Sequence, residues 1–384
     1  MKILHVIVGL NTGGAEKNLE RLVLGHTADS RFDHSIVALK TVGPIGERLR
    51  QRGIPVQALE MRSPANAPGA LWKLRGIIRA NNPDVVHTWM YHSDMVGGLA
   101  ARAAGNNAVL WSIHTTDMIA GTARSTALIR RLCAWLSRSI PVAILCVAEA
   151  ARDTHAAIGY DSSRMLVVPN GFDMRVFTLD TSARSSLRRQ LGWTDEMVVV
   201  GCVARFNYYK DHANLIRAAG LLAKRAERAR FLLVGRDMVG TNQKLTELIH
   251  QTGYADRFAL LGERDDVVAC LSAMDVFCQP SRSEAFPTAL GEAMAIGLPC
   301  VATEVGDTAL LLGDAGVLVP KEDAAALAAA LERILTLTEE QRQELGARAR
   351  QRVAENFSMA HFKRRYEDIY LKTVAGTLFE AGPR

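Results

Sequence analysis

Two glutamates, Glu284 and Glu292, stand eight positions apart in "SRSEAFPTALGEAMAIGLPC", residues 281–300, among small and apolar residues. Pro287 between them suits the first position of a helix, where a missing N–H costs little. The N–H groups of a helix start attract anions. A phosphate set against the Glu284 carboxylate would be repelled, so Glu284 suits hydroxyls, with phosphate held nearby on the N–H groups. Glu292, one to two turns into the helix, offers two oxygens to a vicinal diol such as a ribose 2′,3′-diol. The pair is suited to span a sugar, a diphosphate and a ribose, the parts of a nucleotide sugar. Arg205 and Lys210, in "VARFNYYKDH", follow another apolar run. Fixed cations there would act on a diphosphate as its negative charge grows on bond breaking. Gly13 and Gly14, in "GLNTGGAEK", let backbone N–H groups approach a phosphate closely. His114 ends the run "AVLWSIH", where it could serve a ligand or make only a local loop hydrogen bond. For each of these residues a purely structural role stays open at this point: a charge on a solvated helix face, a surface cation, a tight turn. No role is assigned to His87 or His92 in "VHTWMYHSD".

These residues need elements to hold them, and the chain is patterned accordingly. Short apolar runs at 2–8, 34–39, 56–60, 84–89, 108–114, 142–147 and 164–168 read as strands, with amphipathic segments such as 69–82 between nearly all of them. That alternation predicts a parallel sheet covered on both faces. Turn residues Pro169, Asn170, Gly171 and Asp173 then interrupt the chain. The alternation restarts with runs at 197–203, 230–235, 258–262, 276–279, 299–303 and 316–319. The reading is α/β with two successive Rossmann-like domains, 1–171 and 172–357. A last helix, "SMAHFKRRYEDIYLKTV" within 358–384, follows all the strands and is suited to packing back on the first domain. In an open α/β sheet, ligands bind beyond the carboxyl ends of strands, and "SRSEAFP" follows the run "VFCQP".

Length and composition bound the function classes. The 384 residues favour two domains, and 48% hydrophobic with 22% charged content is that of a packed protein. No run of about 18 apolar residues is present. "MKILHVIV" is short, interrupted by His5, and leads into a Gly-rich turn, so it reads as a first strand and not a leader. Six cysteines without a CxxC pair read as buried thiols in a reducing cytosol. The net charge of +6 is uneven: residues 1–171 hold 19 Lys/Arg and 12 Asp/Glu. This points to an anionic partner for the first half, a phosphorylated acceptor or a membrane surface. Aromatics are 6%, and no nucleic-acid signature is present, so no nucleic-acid partner is expected. Within 123–139, Arg124, Arg131 and Arg138 are spaced by seven with Leu128 and Trp135 alongside. That suits an anionic membrane surface, and equally a core helix with a solvated basic face. "GLNTGG" is not a clean dinucleotide fingerprint, and no acidic residue is well placed about 20 positions on. No D-x-D occurs, so neither a metal nor another cofactor is expected.

"EAFPTALGEAMAIGLPCVAT" resembles the signature of retaining GT-B glycosyltransferases of the family 4 type, with the polysaccharide and O-antigen-like flavour of that family in "VHTWMYHSD". "GGAEK" at 13–17 is similar to the family's Gly-Gly loop, "VPNGFD" at 168–173 to its interdomain hinge, and "VARFNYYKDHANLIRA" at 203–218 to its basic segment. Three positions depart from the pattern: Ala204 and Asp211 where glycine is usual, and Ser283 where many members have glycine. The resemblance implies a GT-B fold, two Rossmann-like domains facing a central cleft with the C-terminal helix crossing back to the first. It implies an acceptor-binding first domain, a donor-binding second domain, and a retaining hexosyl transfer from a UDP- or GDP-sugar. The acceptor would be a glycan or polyprenyl-phosphate-linked glycan at the cytoplasmic face of a membrane. By the same resemblance Glu284, His114, Arg205 and Lys210 serve catalysis. Gly13, Gly14, Arg205, Lys210, Gly235, Glu284, Ala285, Phe286, Pro287, Leu290 and Glu292 hold the donor. A nucleotide-sugar epimerase of the same fold and a non-catalytic nucleotide-sugar-binding subunit are the alternatives.

Overall fold

The structure is a computed structural model that describes residues 1–11, 13–27, 29, 31–116 and 124–380. It divides into two compact units, Met1–Asn170 with Ala360–Arg384, and Gly171–Met359.

Unit 1 is built on seven strands: β1 Lys2–Ile7, β2 Asp33–Ala38, β3 Val56–Ala58, β4 Val85–Trp89, β5 Val109–Ile113, β6 Ala143–Cys146 and β7 Met165–Val167. All pair in parallel, in the order β3-β2-β1-β4-β5-β6-β7. The central strands β4, β5 and β6 are buried at every residue, which is why they read as mainly apolar runs without strict alternation. The pleat sends successive side chains to opposite faces. On β4, Thr88 meets the helix Tyr91–Ala104, where Gly97 leaves no room for a Cβ beside it. Its neighbour His87 points the other way, into the helix Met359–Ala375, and bonds Tyr370 Oη at 2.8 Å and Ser112 Oγ at 2.7 Å.

That second face is fastened by a chain of imidazoles. Trp89 Nε1 donates to His5 Nδ1 at 3.2 Å, and an indole N–H can only donate. His5 therefore carries its proton on Nε2 and donates to His34 Nδ1 at 2.9 Å. His34 in turn donates from Nε2 to His26 Nδ1 at 2.9 Å. This leaves the His26 Nε2 proton facing Glu367 Oε1 of the C-terminal helix at 3.5 Å. One donor at one end sets every tautomer in the chain. Burial keeps these rings neutral: it lowers His26 to about 4, with Lys363 adding to the effect, and His34 to about 3.

Unit 2 has six parallel strands: β8 Val198–Val203, β9 Ala229–Val234, β10 Phe258–Leu260, β11 Val276–Gln279, β12 Cys300–Thr303 and β13 Val317–Val319, in the order β10-β9-β8-β11-β12-β13. Its core joins Val200, Phe231 and Leu233 of the sheet to Leu215, Leu222, Leu327 and Leu331 of the covering helices. Phe172 makes a bridge to Ser358, accepts from the Met359 N–H at 2.9 Å and donates to Phe357 O at 2.9 Å. The segment that opens unit 2 and the segment that closes it are thereby one paired strip of backbone.

Both sheets reverse their order once: between β1 and β4 in unit 1, and between β8 and β11 in unit 2. At such a point the loops leaving two adjacent strands part to opposite faces and open a crevice at the carboxyl edge.

Candidate functional site

In unit 2, β8 ends at Val203 and β11 at Gln279, so the loops 204–211 and 280–287 leave neighbouring strands at the reversal. The first carries Arg205 and Lys210, the second Glu284. Lys210 Nζ donates to both carboxylate oxygens of Glu284, at 2.6 and 2.7 Å, and Ser281 Oγ donates to Oε1 at 2.6 Å. The cation and the carboxylate that stand 74 positions apart in sequence meet as a bidentate pair. Lys210 is itself placed by a short turn, Tyr208–Lys210, capped by Asn207 Oδ1 accepting from the Lys210 N–H at 3.0 Å. Arg205 is exposed and makes no hydrogen bond or ion pair among the described residues. An exposed guanidinium on the same loop as Lys210 is available to an incoming anion.

Two glycines let the backbone close in. Gly235, at the end of β9, has φ +140, and a Cβ there would sit 2.2 Å from Ala204 O and 3.1 Å from Arg205 N. Gly235 therefore lies against the Arg205 loop and cannot be replaced without moving it. Gly306, with φ +53, does the same for the other loop: its Cβ would lie 2.1 Å from Glu284 O. The adjacent Asp307 N–H donates to Ala285 O at 3.0 Å.

Pro287 is the cap residue immediately before the helix Thr288–Ile296, one position earlier than the sequence reading placed it. Its φ of −78 fits the ring, while its ψ of 89 turns the chain into the helix. Ala285 sits between Glu284 and this start. Glu292 is the fifth residue of the helix and half-buried. The side chains of Phe286 and Leu290 are buried, Phe286 against Phe172 and Phe357. Any part these two play toward a ligand falls to their backbone.

Arg282 escaped the sequence reading. Its guanidinium bonds Asp211 at 2.8 and 3.0 Å, reaches Glu322 at 3.0 Å and lies 4.5 Å over the Tyr208 ring, while its N–H donates to Tyr209 O at 2.7 Å. It staples the loop of Lys210 to the loop of Glu284. The signal was present, an arginine two residues before the glutamate, but its partner lies in a distant segment.

In unit 1 the corresponding reversal gathers the ends of β1 and β4. Gly13 caps the helix Gly14–His26 and Gly14 begins it, so the pair stands at a helix start and not wholly in a loop. A Cβ on Gly14 would meet nothing within 4 Å, so no close approach requires glycine there. His114 lies one residue beyond β5. Its ring stacks on Trp89 at 5.2 Å and 18°, its N–H donates to Met90 Sδ at 3.3 Å, and its Nε2 is buried without a hydrogen-bond partner among the described residues. Burial lowers it to about 3, so the ring is neutral. His87 is consumed by its bonds to Tyr370 and Ser112. No group of three His, Cys, Asp or Glu suited to a metal ion occurs among the described residues.

Two parallel sheets, each with a reversal, and a cation–carboxylate pair at the reversal of the second define a class of two-unit parallel α/β proteins. Family models agree on which: "Glycosyltransferase Family 4" matches residues 12–176 and "Glycosyl transferases group 1" matches residues 183–352. A D-inositol 3-phosphate glycosyltransferase of Corynebacterium aurimucosum is 30% identical over 307 residues, covering 75% of this chain and 71% of that protein. The UDP-Gal:alpha-D-GlcNAc-diphosphoundecaprenol alpha-1,3-galactosyltransferase of Escherichia coli is 24% identical over 390 residues, covering 97% of each. Anabaena Alr3699/HepE, solved in complex with UDP-glucose, superposes with a TM-score of 0.83 at 21% identity, covering 98% of this chain and 100% of that one. The chain belongs to the family 4 glycosyltransferases, of GT-B fold.

Proposed function

We propose that the protein transfers a hexose from a UDP- or GDP-sugar to a glycan or polyprenyl-phosphate-linked acceptor, with retention of anomeric configuration and without a metal ion. The observation that carries this reading is the Lys210–Glu284 pair at the sheet reversal, with Arg205 exposed on the loop that carries Lys210. As the bond between sugar and diphosphate breaks, charge accumulates on the leaving phosphate. Lys210 and Arg205 would stabilise that charge more than the ground state, which is the condition for raising turnover. The bidentate contact explains how a carboxylate sits near a phosphate site. Lys210 offsets its charge, and Glu284 would accept hydrogen bonds from sugar hydroxyls in the complex. Glu292 would hold the ribose diol, and the N–H groups at the start of the helix Thr288–Ile296 would share the diphosphate.

The acidic second unit would bind the donor and the basic first unit the acceptor, and within unit 1 His114 and the Gly13–Gly14 turn are the candidate ligand-binding groups. His114 is neutral, so it would donate or accept a hydrogen bond and not act as a cation. No side chain of the site is a free nucleophile, which suits a front-face reaction in which the departing phosphate oxygen takes the acceptor proton. The cited Escherichia coli relative uses a UDP-sugar and a diphosphoundecaprenol acceptor by its name, and this supports donor and acceptor classes for the present chain. No helix among the described residues is long and apolar enough to cross a membrane; a cytoplasmic place is part of the proposal.

Incubating the purified protein with a panel of UDP- and GDP-sugars, with and without undecaprenyl-diphosphate-linked sugars, tests the reading through nucleoside diphosphate release. Release dependent on one donor and stimulated by acceptor is expected. An epimerised nucleotide sugar as product would favour the epimerase alternative, and binding without turnover the non-catalytic one.

A further inference from the structure

Three helices, Ala67–Asn81, Tyr91–Ala104 and Arg124–Leu136, pack side by side over the face of the first sheet opposite to the C-terminal helix. Their outer surface is unusual in two respects that coincide. It exposes large apolar side chains: Trp72 at 64% and Trp135 at 70%, with Leu99, Leu128 and Leu132 also exposed. Leu128, Leu132 and Trp135 follow at spacings of four and three, so they form one stripe along the third helix. The surface is also nearly free of negative charge. The three helices carry Lys73, Arg75, Arg79, Arg102, Arg124 and Arg131, with a further arginine, Arg130, buried, and their only carboxylate, Asp94, is fully buried. Arg138 continues the basic edge just past the third helix and is exposed. Ala123, the first residue of the stretch read from sequence, and the side chain of Arg124 lie outside the described residues.

The helices are braced as a unit by arginines that give part of their hydrogen-bonding to backbone. Arg75 Nε donates to Ala103 O at 3.0 Å and Arg102 Nη2 to Ser139 O at 2.5 Å. The Arg75 guanidinium also lies 5.1 Å over the Trp72 ring. Two exposed tryptophans are therefore presented on a rigid three-helix platform.

We propose that this face docks the protein on an anionic lipid bilayer. Tryptophan with aliphatic side chains suits the headgroup–acyl boundary, and adjacent arginines suit anionic headgroups. The field supports it at longer range. Residues 1–171 carry +7, and residues 360–384 add five Lys/Arg against three Asp/Glu, which brings unit 1 to +9. A second copy of the chain is a poor occupant, because a face without an exposed carboxylate cannot complement its own charge. The docking stands independently of the reaction proposed above, since it uses none of the site residues.

Sedimentation with vesicles tests it, using phosphatidylglycerol–phosphatidylcholine mixtures against phosphatidylcholine alone, at low and high salt. Wild type is compared with Trp72→Ser/Trp135→Ser and with Arg131→Glu/Arg138→Glu, all at exposed positions, with thermal melts confirming the fold. Wild type is expected to pellet with the anionic vesicles only and to be released by salt. Each arginine near such a surface contributes about 1 kcal/mol, or roughly fivefold, so the charge-reversed variant should bind at least about 25-fold more weakly. Tryptophan emission should shift to the blue on vesicles in the wild type and not in the double-serine variant. No binding to anionic vesicles, equal binding to neutral ones, or unchanged binding by both variants would overturn the proposal. So would binding to single-stranded nucleic acid or self-association that the same variants abolish in place of vesicle binding. Neither result depends on sugar transfer, so failure here leaves the reaction untouched.

Discussion

Lys210 and Arg205 differ in what holds them. Lys210 is locked to Glu284 by two short bonds, whereas Arg205 is exposed. Both are assigned to charge that develops on the leaving diphosphate. Lys210→Ala and Arg205→Ala should therefore each lower kcat by about 10²-fold or more, with smaller changes in donor affinity. Steady-state kinetics over donor concentration checks this, and a raised KM at normal kcat would mean uniform binding instead. Glu292→Ala should show that second pattern, because a ribose grip is the same in ground and transition states. The glutamate pair and the two cations stand out as candidates in sequence because charged residues that follow apolar runs are conspicuous by type and position alone. Arg282 and Ser281 were not. Their roles are contacts to Asp211, Glu322 and Glu284, which only the adjacency of β8 and β11 creates.

At the scale of elements, the thirteen strands were legible because parallel strands buried on both faces must be nearly all apolar, and their ends shifted by only one or two residues. What the pattern hid was how loops and the last helix are fastened. Gly306 lies in an ordinary-looking loop, yet a Cβ there would meet Glu284 O at 2.1 Å with φ at +53. Gly306→Ala should cost about 1–3 kcal/mol of stability and displace Glu284, lowering turnover as well; thermal melts with kinetics would show both. The histidine chain was equally hidden, its members being scattered at positions 5, 26 and 34. Burial depresses His26 and His34 from the ordinary 6.5 to about 4 and about 3. Between pH 6.5 and those values the unfolded chain binds more protons than the folded one, so stability rises with pH there. Acidification should weaken the fold progressively through that window, with the contribution of these two rings complete below about pH 3. His26→Gln/His34→Gln should be less stable at pH 7 but show a shallower slope, by up to about 1.4 kcal/mol per pH unit for each ring removed. Melts from pH 7.5 to 4.5 that give the same slope for both proteins would contradict burial of these two rings in the neutral form.

The whole molecule is two sheets of like design with a charge difference between them. In the proposed reaction cations and N–H groups of the site hold the diphosphate, so turnover should persist in EDTA, and full loss restored by Mg²⁺ or Mn²⁺ would refute metal independence. The central claim is that these groups drive transfer from a nucleotide sugar with front-face geometry. Its most direct measurement is the anomeric configuration of the newly formed linkage, read by proton NMR on the product made by purified protein from its α-linked nucleotide-sugar donor in EDTA. The account predicts an α-linked product with one nucleoside diphosphate released per linkage formed. A β-linked product, or sugar appearing on nucleotide alone with no linkage formed, would contradict it.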